Sequence, residues 1–360
     1  MTRHCRLVAM PILGLIMLTA PGAGKVPAET RVYENRLTPI AGPTPILADH
    51  PEFVEPIRET ARFEAPILVD DPGAELSVRA WRFSYNARGI IEVPNRLRLD
   101  RTAVIVVHPW GIDDGQGWNT PEPAGVAFQC TPVKNRIAQR HVREVIEPFL
   151  KTFRGRCAVV AYSLPGTEDP IRKKIYRSFR GRPTPAERAQ GQKELAARLR
   201  SFDYTGEPIP AAIPVSAETP TLDYFRQFAG IDSSAKYDHA GFWELPIPVM
   251  KPIETTLDDV VIYDAEGYPA LRKFLQAQGV RHVLLTGYNT DMCVCSTTAG
   301  YKNLTQDFDV FLVGDATLAT FPANHTPAHA TNAAVSYAAL NLFITQVSWV
   351  KPIAPAGRGR

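Results

Sequence analysis

Cys293 is the residue whose neighbours best equip it to act as a nucleophile. It lies in Gly287-Tyr288-Asn289-Thr290-Asp291-Met292-Cys293-Val294-Cys295, just after the apolar run Val283-Leu284-Leu285. The run reads as a strand, Gly287 as its end, and Thr290 or Asp291 as the cap of a following helix. Cys293 then falls in the first helical turn, where free N–H groups and the positive end of the helix dipole stabilise a thiolate. Such a thiol can attack a carbonyl carbon if a base takes its proton and N–H donors meet the developing oxyanion. Cys295 lies about 200° further around a helix of 3.6 residues per turn, so it is expected to point into the fold. It reads as a small buried hydrophobe. The Cys293–Cys295 spacing is also not the Cys-X-X-Cys of a redox site, which leaves a redox role the weakest reading.

The elements that must position this segment are short apolar runs alternating with helical stretches. Val104 to Val107, Ala158 to Ala161, Val283 to Leu285 and Val310 to Val313 read as buried parallel strands. Ile137, His141, Val145, Phe149 and Phe153 fit a helical stripe between the first two, and Tyr268 to Gln278 gives a helix stopped by Gly279. This rhythm predicts an α/β fold, a doubly wound and mostly parallel sheet with helices on both faces. The first strand runs into His108-Pro109-Trp110-Gly111-Ile112-Asp113-Asp114, a loop of the kind that opens where ligands sit in such sheets. Ile247 to Lys251 suggests a further short strand, and Ala328 to Ile344 a closing helix. Between residues 164 and 248 the rhythm stops in a Pro-punctuated insertion, with one helix expected from Gln190 to Arg200. Residues 24–100 read as an added Pro-rich arm and β-ribbon, because Glu75 to Tyr85 and Gly89 to Val93 alternate around Asn86-Ala87-Arg88. The core is expected over residues 101–349, with a tail at 350–360.

The segment from Gly287 to Val294 resembles the nucleophile segment of the isochorismatase-like cysteine hydrolases, which include nicotinamidases and N-carbamoyl amide hydrolases. Its pattern of Gly, two residues, Thr, Asp, any residue, Cys, Val is matched throughout. Phe308 to Ala316 is similar to the next strand of that family and its Asp-Ala pair. The resemblance implies the doubly wound fold and hydrolysis of an amide or carbamoyl C–N bond through Cys293. It also implies a cis peptide bond at Tyr288-Asn289, with the N–H groups of Asn289 and Cys293 facing the oxyanion. Tyr288 and Trp110 are expected beside the substrate. Where the family carries an Asp at the end of the first strand, this chain has His108. A histidine also deprotonates a thiol, Asp113 or Asp114 could swing into the role, and a purely structural His108 is the alternative. The family cation falls on Lys251 if Ile253 to Tyr263 is an insertion; without it, the aligned position is near Asp259 or Val260 and no Lys remains. Some members hold a metal after the second strand, but Ser163 to Asp169 contains no histidine, and His325 and His329 have Pro327 between them and no evident third ligand. No metal or other cofactor is expected.

Composition sets the outer bounds. The chain has 360 residues, 45% of them hydrophobic, and a net charge of +3, too small to argue for nucleic acid as a partner. The basic cluster Arg172, Lys173, Lys174, Arg177, Arg180 and Arg182 reads as a solvated face. Arg3 and Arg6 precede an apolar run to Ala20 and then Pro21-Gly22-Ala23-Gly24, the layout of a secretory signal over residues 1–23. The run is short of the about 20 residues a membrane span needs. A secreted or periplasmic protein is expected, with a small-molecule substrate, no membrane contact after signal cleavage, and assembly as a homo-oligomer. In an oxidising compartment Cys130 and Cys157 could pair. A degenerate homologue that binds a small molecule or a protein without turnover is the competing function.

Overall fold

The computed structural model describes residues 30–34, 49–50, 61–84, 86, 89–111, 132–201, 211–227, 245–319 and 346–353. The expected secretory signal, Asp113, Asp114, Cys130, His325, His329 and the expected closing helix lie outside the described residues. In chain order the strands are β1 (Thr30–Glu34), β2 (Ala61–Glu64), β3 (Leu76–Ser84), β4 (Gly89–Leu97), β5 (Thr102–Val107), β6 (Val159–Leu164), β7 (Ala212–Ser216), β8 (Val260–Tyr263), β9 (His282–Tyr288), β10 (Asp309–Leu318) and β11 (Gln346–Pro352). The helices are α1 (Pro132–His141), α2 (Glu147–Phe153), α3 (Pro170–Ile175), α4 (Pro185–Arg200), α5 (Pro220–Gln227), α6 (Tyr268–Ala277), α7 (Cys293–Ser296) and α8 (Tyr301–Leu304).

A nine-stranded sheet runs in the order β2-β4-β3-β11-β10-β9-β5-β6-β8. From β11 to β8 every neighbouring pair is parallel. β5 is buried at all six positions, as a central strand covered on both faces must be. Because side chains alternate, Val104 and Val106 pack with Val142, Ile146 and Leu150 on one face. Ala103, Ile105 and Val107 pack with Leu271, Leu275 and Val294 on the other. The α/β sheet with helices on both faces is therefore present. The chain proceeds from β5 outward through β6 and β8, then returns to the other side of β5 for β9 and β10. The order reverses between β5 and β9, and in open α/β sheets ligands sit at such a reversal, beyond the carboxyl ends of the strands.

The strands of residues 61–97 extend the main sheet. β3 and β4 form an antiparallel hairpin that joins the main sheet through β11. His282, fully buried at the start of β9, clamps this addition, with Nε2 at 3.3 Å from Asp71 and Nδ1 at 3.2 Å from Asp309. β1 instead pairs antiparallel with β7 of the insertion. α4 is longer than expected, since Thr184 and Glu187 form a capping box around Pro185 and start it a turn earlier.

Three local expectations are corrected. The buried helical row is Ala138, Val142, Ile146, Leu150 and Phe153, and Ile137 is exposed. The neighbouring i, i+4 row looked equally apolar, and a π-helical turn at Val142–Ile146 shifts the face that meets the sheet. Ile247 to Lys251 forms no strand; Val249 makes one antiparallel bridge to Trp110, and the Met250 N–H donates to the Pro109 carbonyl at 2.7 Å. The sheet strand there is β8, ten residues further on. Nor is the basic cluster wholly solvated, because Arg172 is buried. Its guanidinium pairs with Asp169, donates to the carbonyls of Thr167 at 2.6 Å and Ile247 at 3.3 Å, and lies 4.8 Å from the Tyr263 ring centroid.

Arg154 at the end of α2 joins the helix layer to the sheet edge. It donates two hydrogen bonds to Glu147 at 2.7 and 2.9 Å, one to the Tyr162 hydroxyl at 3.0 Å and one to Asp259 at 3.3 Å. Glu147 and Asp259 are both buried. Replacing only the cation would leave two buried carboxylates without it. Arg154→Ala is therefore expected to cost about 3–5 kcal/mol, read as a lower urea midpoint, whereas an unchanged midpoint would show the network to be dispensable.

Candidate active site

The site is built by strand register. Val107, the last residue of β5, stands opposite Gly287 of β9 on one side and Ser163 of β6 on the other. Gly287 has φ 105°, and a Cβ there would come within 2.1 Å of the Val107 carbonyl oxygen, so no other residue permits this approach. β9 continues through Gly287 to Tyr288 rather than ending at the glycine. The Tyr288-Asn289 peptide bond is cis. One turn of helix follows, beginning at Cys293.

His108 leaves β5 at the level of Gly287. Its N–H donates to the Ser163 carbonyl at 3.0 Å, and its φ of 46° is left-handed, a conformation that costs a non-glycine residue on the order of 1 kcal/mol or more. The ring is buried and has two partners. Nε2 lies 2.8 Å from Oδ2 of Asp264, the residue after β8, and Cys293 is near enough to interact with the imidazole electrostatically. Burial by itself pulls the His108 pKa down. Hydrogen bonds and charge attraction from Asp264 and Cys293 outweigh it and raise the value to about 9. The imidazole is thus protonated at neutral pH.

Helix capping contributes less here than the sequence suggested. α7 is a single turn whose cap position is Met292, with no side-chain hydrogen bond. The Thr290 hydroxyl pairs with Thr317 at 2.7 Å instead. One turn carries little of a helix dipole. The Asn289 carbonyl accepts the N–H groups of Met292 at 3.0 Å and Val294 at 3.1 Å. Among the described residues, neither the Asn289 nor the Cys293 N–H donates a hydrogen bond. Two donors beside the sulfur are thus open. Cys295 is engaged otherwise: its thiol donates to the Thr290 carbonyl at 2.9 Å, and burial pushes its pKa up.

The other expected residues divide. Tyr288 is buried, and its hydroxyl is 2.7 Å from Nδ1 of His141, whose Nε2 meets the Asp315 carbonyl at 2.8 Å. It braces α1 against β9. Asn289 is buried, and its side-chain oxygen has no hydrogen-bond partner among the described residues. Trp110 is buried two residues after His108 and carries the bridge to Val249. Lys251 is exposed in the turn beyond that bridge, and the strand end it was expected to occupy is taken by Asp264. Asp169 caps α3, accepting from the N–H groups of Ile171 and Arg172 at 2.9 Å. Among the described residues no group of three or more His, Cys, Asp and Glu side chains could hold a metal ion. Cys157 is a free thiol, its pKa pushed up to about 11 by burial.

Asp264 was absent from the sequence reading. Its one legible sign was the β-branched run Val260-Val261-Ile262 ending in an acid, the form of a parallel strand delivering a side chain to the carboxyl edge.

Residues 246–340 match the family model described as Isochorismatase domain. Over that stretch the chain is similar to the isochorismatase family. The match takes in β8, Asp264, β9 and Cys293, while β5 and His108 lie before it. Among solved structures, the chain is similar to a cysteine hydrolase from Pseudomonas syringae pv. phaseolicola, at 16% identity over 69% of this chain and 88% of that one, with a TM-score of 0.34. An isochorismatase-like hydrolase from Alkaliphilus metalliredigens is 12% identical over 68% and 92%, TM-score 0.35. A pyrazinamidase/nicotinamidase from Streptococcus mutans is 13% identical over 68% and 98%, TM-score 0.30. No curated protein matches the chain.

Proposed function

We propose that this isochorismatase-like chain hydrolyses an amide or carbamoyl C–N bond of a small molecule, with Cys293 as nucleophile and His108 as base. The observation that carries the reading is the register that sets Val107 opposite Gly287 and so brings His108 and the Asn289–Cys293 loop to the same carboxyl edge of the sheet. With the proton on His108, the Cys293 sulfur attacks the carbonyl carbon. Negative charge develops on the carbonyl oxygen, where the Asn289 and Cys293 N–H groups can meet it; one such donor is worth about 3–4 kcal/mol. The C–N bond breaks, and the nitrogen leaves with the proton held by His108. Water then attacks the thioester carbon while giving a proton to His108. The C–S bond breaks, the acid product leaves, and sulfur and imidazole return to their starting states.

The reaction belongs outside the cytoplasm in this reading, supported by the order of Arg3, Arg6, the apolar run and the small residues before Lys25. Mass spectrometry of the native protein is expected to find a chain beginning after about Ala23; an intact chain from Met1 would contradict export.

With small amides and N-carbamoyl compounds as substrates, Cys293→Ser is expected to lower kcat by orders of magnitude, because a serine hydroxyl is not ionised by this histidine. Cys295→Ser should retain turnover. Equal activity of Cys293→Ser and the parent would overturn the mechanism.

A further inference from the structure

Asp264 stands apart from the segment that carries the family likeness to the nucleophile, yet it is the residue most firmly directed at His108. It follows β8, two strands away from β5, so its carboxylate must reach across the end of β6. There the Ser163 hydroxyl donates to its Oδ1 at 3.3 Å, while Oδ2 faces His108 Nε2 at 2.8 Å. Its backbone is held as well. The Asp264 carbonyl accepts from the Thr298 hydroxyl at 2.7 Å and from the Gly267 N–H at 3.2 Å, and the next N–H, of Ala265, donates to Gly166 at 3.0 Å. Thr298 lies just beyond α7, so one contact ties the acid to the segment that bears the thiol. His108 is the complementary half, a buried ring whose left-handed backbone persists because its surroundings over-determine it.

We infer that Asp264 is a positioning residue for His108: by accepting from Nε2 it fixes the ring beside Cys293 and keeps the proton on the imidazole. The inference rests on the hydrolase reading and names what sets the resting state of its site. An imidazolium buried without an anion would be a poorly solvated ion. With the Asp264 carboxylate as acceptor it is paired, and that carboxylate is itself held by the Ser163 hydroxyl. Among the described residues, the titratable groups that face His108 are Asp264 from the turn after β8 and Cys293 from α7; Ser163 of β6 adds a neutral donor to Asp264. Asp291, on the loop before α7, acts on Cys295.

The test is the pH dependence of Cys293 alkylation by iodoacetamide in the full chain, followed by peptide mass spectrometry so that Cys157 and Cys295 are read separately. Relative to the parent, Asp264→Asn should raise the Cys293 midpoint by about one pH unit, about tenfold slower alkylation at a pH below both midpoints. Asp264→Glu should reverse part of the shift, and His108→Asn should shift the midpoint upward at least as far. A folded Asp264→Asn protein, judged by circular dichroism, whose midpoint equals the parent's would overturn the inference. If Asp264→Asn does not fold, Ser163→Ala serves instead, with a smaller upward shift expected and an unmoved midpoint again contradicting it. The readout needs no substrate. A chain whose midpoint moves in Asp264→Asn but that shows no turnover would count against the hydrolase reading alone, and an active chain with an unshifted Asp264→Asn midpoint would refute only the role of Asp264.

Discussion

β5 and β9 lie side by side with Val107 opposite Gly287, and the rest of the site depends on that pairing. Because Gly287 carries no Cβ, the two backbones can close to a distance that any side chain would forbid. The residues just beyond the pair, His108 on one strand and the Asn289–Cys293 loop on the other, are thereby placed against each other. The sheet makes this possible by reversing its order there, which leaves a crevice between loops that would otherwise cover the strand ends. Chemistry sits where the chain cannot pack over itself.

The charges then follow from burial. A buried imidazole would ordinarily be neutral, since desolvation penalises its charged form. Interactions with Asp264 and Cys293 reverse that preference. Cys295 is the internal comparison. It is also partly buried and only two residues away, but it faces the Thr290 carbonyl and carboxylate charge rather than an imidazolium, and burial raises its pKa. Position relative to one histidine separates two thiols that composition treats alike.

Much of this was legible in the sequence. β5, β6, β9 and β10 were readable because each is a β-branched apolar run near the core length of a strand, and the Gly287–Val294 segment carries enough fixed positions to locate both the thiol and the cis bond. β8 was harder. Val260 to Tyr263 is short and follows two aspartates, whereas Ile247 to Met250 is as apolar and ends in the expected lysine, so the choice favoured the wrong run. Asp264 was invisible for a different reason: its partner His108 is 156 positions away, and no local periodicity encodes a contact across two neighbouring strand ends. The helical stripe was misjudged by one position because two adjacent rows are equally apolar, and only the π-turn decides which meets the sheet.

The central claim is that the site rests with its proton on His108, held against Asp264. Nitrogen-15 NMR of the histidine side chains in the intact chain tests this most directly, with His108 assigned by comparison with His108→Asn. The account predicts that both His108 ring nitrogens are protonated at neutral pH and that the ring loses its proton only well above the ordinary histidine range, near 9. A His108 that is a neutral, singly protonated imidazole at neutral pH would contradict it.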